Sequence, residues 1–224
     1  VAALRLAGAD IDRKQLSPRM LTLARAALAD ENAHVKREAS ELIGRQGDSH
    51  DIAHLLTLLP RVDPEDSVLR QTIRIAVASL IRRSAPDDEF WSMPASPDIA
   101  SILLGIQRHE ASAMLLRLLA ERHVASGRDA LLAHAAKYAG PESLEACVRV
   151  AREISGDDRG KQFALLDVLC NSQNARPGNV PQPLRRWALG LVSAELSGVD
   201  VSAKLIGWTT DDGGDWLREK RRLR

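Results

Sequence analysis

Aromatic side chains are scarce in this chain. Tyr occurs once, Phe twice and Trp four times, together 3% of 224 residues. Sandwiches and barrels draw their strands from β-branched and aromatic residues in period-two alternation. Neither the residues nor the alternation is present, so no strand is expected. Cysteine is nearly absent as well. Cys147 and Cys170 form no Cys-x-x-Cys and no Cys-x-x-Cys-His, which excludes a zinc ribbon or a haem attachment built from these residues. Each sits in a helical apolar pattern and reads as a small buried hydrophobe. A disulfide between them is open to the spacing but unsupported by it, so the redox compartment stays open. No apolar run is long enough to cross a bilayer, and no charged segment followed by an apolar one marks a leader. Charge of one sign is missing too: 31 basic against 30 acidic side chains leave a net charge of +1. No global field steers the chain to nucleic acid or to an anionic membrane. The basic C-terminus, with Arg218, Lys220, Arg221, Arg222 and Arg224, is explained by the helix macrodipole without a phosphate ligand.

What is abundant is Ala and Leu, the strongest helix formers. Apolar residues recur at three- and four-residue spacing almost throughout. Ser17-Pro18 opens a first helix with an apolar stripe of Met20, Leu21, Leu23, Ala24, Ala27 and Leu28. After Asp30-Glu31-Asn32, a second helix carries Val35, Ala39, Leu42 and Ile43, with Gly44 and Gly47 expected to end it. Asp48-Ser49 starts a third, stopped at Pro60. Pro64-Glu65-Asp66 opens a fourth that runs to Arg83. Val35 and Leu69 hold equivalent places 34 residues apart, a period of helical-pair repeats. Ser84–Pro97 reads as a loop. Further helices are expected over 97–106, 110–122, 128–139, 141–154, 159–170, 184–196 and 201–208. A turn follows at 209–214, and a short terminal helix over 216–223. The chain opens on Val1-Ala2-Ala3-Leu4-Arg5-Leu6-Ala7-Gly8, which reads as the end of a helix already under way and so as a piece of a longer protein. The expected fold is all-α: one α-solenoid domain of stacked antiparallel helix pairs over 1–224, with a possible sub-boundary at 171–183.

Two resemblances bear on this reading. Asp30 through Ala39 with Leu42-Ile43-Gly44, and then Asp66-Ser67-Val68-Leu69-Arg70 with Arg74-Ile75-Ala76, resemble HEAT repeats, a relative of the armadillo type. Lys36 stands where that pattern has Arg. Leu69–Ala76, Ile99–Ile106 and Glu110–Leu116 look like the helical middle region of planctomycete-type multidomain proteins. Those carry a sugar-dehydrogenase-like propeller and a haem-binding c-type cytochrome domain. That resemblance implies a spacer between functional modules of an oxidoreductase.

Several groups invite a chemical reading. His50 and His54 share a helical face at the spacing of a zinc site, but Asp51 stands where a metalloprotease has Glu, and no third ligand is near. Solvated surface histidines explain the pair. Asp87-Asp88-Glu89 with Asp98, and Asp211-Asp212-Gly213-Gly214-Asp215, lack calcium-loop spacing and read as caps and turns. Gly156–Gln162 superficially resembles a phosphate loop without the preceding strand or the Ser or Thr after Lys161. Trp187 and Trp208 read as core, while Trp91 and Trp216 stand in less regular surroundings. Lys36, Arg70 and Arg74 on the second helices of adjacent repeats, and Trp91 in the Pro-rich loop, are the candidate partner-binding residues. Ion pairing with Glu38, Glu65 or Asp66 is the plainer role for the three cations, and stapling the loop to the core for Trp91. No catalytic residue, metal or cofactor is expected. The expected role is a non-catalytic scaffold docking other domains of its own chain or another protein. The alternative is a nucleic-acid-binding, glycosylase-like HEAT domain. A HEAT-like enzyme would need a reactive cluster that only His50 and His54 suggest.

Overall fold

The computed structural model describes residues 17–93, 97–121, 124, 126–175 and 178–196, and every regular element among them is helical. In chain order these are α1 Pro18–Ala27, α2 Ala33–Gln46, α3 His50–Leu58, α4 Ser67–Arg83, α5 Pro97–Leu103, α6 His109–Ala120, α7 Arg128–Tyr138, α8 Leu144–Ser155, α9 Arg159–Ser172 and α10 Gln182–Leu196. The protein is all-α. The expected elements at 201–208, 209–214 and 216–223, with Trp208 and Trp216, lie outside the described residues, as do the basic C-terminus and the Asp211–Asp215 run.

Short polar side chains set where helices begin. Ser17 accepts from the Met20 N–H at 3.3 Å, Asn32 from His34 at 2.8 Å, Asp66 from Leu69 at 2.9 Å and Asp158 from Lys161 at 3.0 Å. Each satisfies a first-turn donor that the helix cannot reach, worth about 1 kcal/mol. Pro60 does not end α3 abruptly; the chain tightens into a 3₁₀ turn over Leu59–Arg61, which tolerates proline near its start. The expected stripe of α1 is only partly buried: Ala24 is enclosed, while Leu23 is 52% exposed. The contacts of α1 run chiefly to α2, so one narrow face is covered.

The contacts divide the chain into two compact units that meet between Ala111 and Ser112, inside α6. In the first, α1 packs on α2, α2 and α3 on α4, and α4 on α5. α2 and α4 begin 34 residues apart, at Ala33 and Ser67, and lie side by side and parallel. Three contacts fix that direction. Near the N-termini Arg37 reaches the Asp66 carboxylate at 2.6 Å; in the middle Gly44 meets Ala76; at the C-termini Arg83 donates to the Gly47 carbonyl at 3.3 Å. Gly44 does not end α2, as the sequence suggests; it sits inside the helix, and a Cβ there would lie 2.7 Å from both Cα and Cβ of Ala76. Glycine costs helix propensity at that point and returns it as close backbone approach.

In the second unit α8 packs on α7, α9 on α8 and α7, and α10 on α9 and α8. α8 buries Leu144, Cys147, Val148 and Ala151 at three- and four-residue spacing. The Gln173 amide after α9 donates to the Ala136 carbonyl near the end of α7, and the buried Ser112 hydroxyl donates to the Ala135 carbonyl at 2.6 Å. Trp187, expected in the core, is 2% exposed. The Asn171–Pro183 break narrows to 173–181, a link between two packed helices.

Gly44→Val forces α2 and α4 apart. The expected loss is about 2 kcal/mol, the scale of overpacking a tight contact, read as a lower urea midpoint with unchanged slope. Ala76→Gly in the same chain recovers part of it.

Candidate partner-binding surface

The parallel pair α2 and α4 defines a surface. Both helices turn one stripe toward the core of the first unit: Ala39, Ser40 and Ile43 on α2; Leu69, Ile73, Val77 and Leu80 on α4. The opposite stripes are open. On α2 that is His34, Glu41 and Arg45, with Glu38 half-buried beside them. On α4 it is Val68, Gln71, Ile75 and Arg82, with Thr72 and Ser79 half-exposed between them. Helical geometry places both open stripes on the same side of a parallel pair. Val68 and Ile75 are each 57% exposed, seven residues apart and so vertically aligned. Exposed apolar side chains are ordinary singly; here two β-branched ones stand two turns apart on one stripe, with Gln71 and Thr72 between them. The sequence held a signal for this placement. Val68 and Ile75 share their stripe with Gln71, Ser79 and Arg82, not with Leu69, Ile73 and Leu80.

The four residues singled out from sequence fall elsewhere. Lys36 lies on the stripe of Ala39, Ser40 and Ile43, half-buried toward the core. Arg70 and Arg74 lie on the stripe of Ile73, Val77 and Ile81, also half-buried, and the Nε of Arg74 is enclosed without a partner. None of the three makes an ion pair among the described residues. The structure therefore brings Arg70 and Arg74 together and leaves Lys36 apart. Trp91 stacks edge-on against the buried Phe90, with ring centres 4.9 Å apart, and donates its indole N–H to the Ala85 carbonyl at 3.0 Å. Its ring lies under the guanidinium of Arg108 at 5.3 Å.

Arg108 gave no signal in the sequence, because the carbonyls it reaches on Ile81 and Ser84 are distant in the chain. It grips Glu110 with two nitrogens, at 2.9 and 3.1 Å, and donates to the carbonyls of Ile81 and Ser84 at 3.2 and 2.8 Å. It thereby caps the C-terminus of α4. The Arg108 guanidinium holds the Glu110 carboxyl below its usual range against the opposing effect of burial.

His50 and His54 are both exposed, and the residue between them is otherwise engaged. Asp51 is 1% exposed and accepts from Arg25 at 2.6 and 2.9 Å and from the Asp48 N–H at 3.0 Å. Gly47 makes room for it: a Cβ there would stand 2.5 Å from the Asp51 Oδ2. Burial alone would raise the Asp51 pKa; the Arg25 guanidinium and the backbone amide outweigh it, and the net displacement is downward. Among the described residues no three His, Cys, Asp or Glu side chains converge as metal ligands. Asp88 of the acidic loop caps a 3₁₀ turn, accepting from the Phe90 N–H at 3.0 Å. Both cysteines are free thiols. Burial raises Cys147 to about 12; burial and the neighbouring Asp167 carboxylate raise Cys170 to about 11. No helix among the described residues is long and apolar enough to cross a membrane.

These features describe an all-α protein in which charged groups tie helices together and the α2–α4 pair leaves one side open. No protein-family model, curated protein or solved structure matches the chain.

Two measurements follow from these environments. Asp51→Asn takes the buried carboxylate from Arg25, which keeps only Asp48 at 3.2 Å, and loses about 1 kcal/mol at pH 7. A carboxylate with a depressed folded pKa stabilises above its unfolded value near 4 and ceases to as pH falls through the lower folded value. The variant and the parent therefore converge in stability as pH drops below about 4, as followed by urea titration at stepped pH. Both thiols stay unreactive toward a disulfide reagent at pH 8 in the folded chain and react on unfolding, as read by absorbance.

Proposed function

We propose that this chain is a non-catalytic, HEAT-like α-solenoid segment that docks a neighbouring protein domain. The docking face is the outer surface of the α2–α4 pair. The observation that carries the reading is the aligned exposure of Val68 and Ile75 on a helix pair held rigid beneath them. The 34-residue offset, the parallel contact of α2 with α4, and the packing of α9 and of α10 each on two predecessors support the repeat architecture. A partner for this face presents apolar side chains to Val68 and Ile75 and polar groups to Glu41, Arg45 and Gln71. That chemistry belongs to another domain of the parent protein or to a separate protein. In a parent of the multidomain haem-binding type, the segment would space and orient the modules on either side.

A protein partner fits better than nucleic acid. The open stripes carry Glu38 and Glu41 alongside Arg45 and Arg82, whereas a phosphate backbone calls for a continuous basic track. Lys36, Arg70 and Arg74, the cations that would have formed that track, are half-buried against the core stripes.

The test titrates the purified domains encoded on either side in the parent reading frame against the chain and its Val68→Asp/Ile75→Asp variant. We expect one domain to bind, and the variant to weaken binding at least tenfold with an unchanged melting temperature, since both positions are exposed. Binding by neither domain, or binding untouched by the substitutions, overturns the assignment. A salt-sensitive shift of duplex DNA would replace it with the nucleic-acid reading.

A further inference from the structure

α10 is the last described helix, and it is covered on one side only. Leu184, Trp187 and Leu191 are buried and face α8 and α9. On the opposite side Leu189 is 60% exposed and Val192 37%. The two are three residues apart and share one face of the helix. Within this unit α7 and α8 carry α9, and α8 and α9 carry α10. α10 has the open face of a helix with a successor.

The chain continues at once with residues of the right kind. Ser197-Gly198-Val199-Asp200 are the four residues between the end of α10 and the apolar pattern that starts at Val201. They compare in number with the links at 139–143 and 156–158 that join α7 to α8 and α8 to α9. Asp200 has the capping chemistry used by Asp66 and Asp158. Val201, Leu205 and Trp208 then recur at spacings of four and three, with Ile206 beside them, the pattern of a helix with one apolar face. A link this short keeps the segment within reach of α10 and gives it a high effective concentration there, which favours it over a second copy of the chain.

We propose that the outward face of α10, centred on Leu189 and Val192, is the seat of the chain's own segment Val201–Trp208. The segment closes the stack, so that this face is an internal interface and not a partner site. The inference is independent of the docking face on α2 and α4.

Hydrogen exchange on the full chain tests it. The expected result is that amides of 201–208 exchange at least about ten times more slowly than in the isolated peptide, the mark of a docked element. That protection should not depend on protein concentration. Leu189→Asp/Val192→Asp should abolish it and leave α7–α9 amides unchanged, since both positions are exposed on the far side from those helices. Exchange of 201–208 at free-peptide rates in the unsubstituted chain overturns the proposal. So does protection that survives the double substitution. Protection that disappears on dilution overturns it in favour of a second copy as the occupant.

Discussion

Between Gly44 and Ala76 there is no room for another carbon atom, and the first unit is arranged around that contact. It sets the distance between α2 and α4. The distance allows Arg37 to span to Asp66 at one end and Arg83 to the Gly47 carbonyl at the other. With the pair fixed in parallel, α1 and α3 can cover only the side where Ala39, Ile43, Ile73 and Leu80 project. The other side is left to solvent, and it is there that Val68 and Ile75 stand exposed. Close packing through small residues is stiff because repulsion rises steeply with any compression. The open surface is therefore held in shape by the contact behind it.

Arginine does much of the remaining work. Arg25 ties α1 to the first turn of α3, Arg37 ties α2 to the cap of α4, and Arg108 ties the approach to α6 back onto the end of α4. In each case the guanidinium meets a carboxylate or a terminal carbonyl, geometries its planar fork suits better than a lysine ammonium would. The Asp66 carboxyl shows the economy of this. It accepts from the Leu69 amide and from Arg37 at once, and these bonds hold it below its usual range. One side chain begins a helix and fastens it to its neighbour.

Much of this was legible from residue order. Helix starts could be read because Ser17, Asn32, Asp66 and Asp158 act on donors two or three residues away, and local chemistry leaves a local trace. The 34-residue offset survived because it too is a pattern along the chain. Gly44 was misread as a terminator because its reason for being glycine, Ala76, is 32 positions distant in sequence. Lys36, Arg70 and Arg74 were read as partner-binding candidates from their place on the second helices of adjacent repeats; their register with Ile43 and with Ile73 and Val77 leaves them half-buried. Asp51 lay in view between two histidines, yet its role depended on Arg25. The role of Arg108 depends on Ile81 and Ser84 in the same way. What the sequence withheld was partnership across helices.

The reach of those partnerships has a kinetic meaning. The side-chain ties within each unit join residues separated by a few tens of positions: 26 for Arg25 and Asp51, 29 for Arg37 and Asp66, 36 for Arg83 and Gly47, 37 for Gln173 and Ala136. None asks one end of a unit to find the other. Chains whose contacts are this local lose little entropy before each contact forms, so they fold early and quickly. Each of these ties joins a helix to the next but one, so each can close as soon as the later of the two has formed. Assembly can therefore advance along each unit in overlapping steps of three helices.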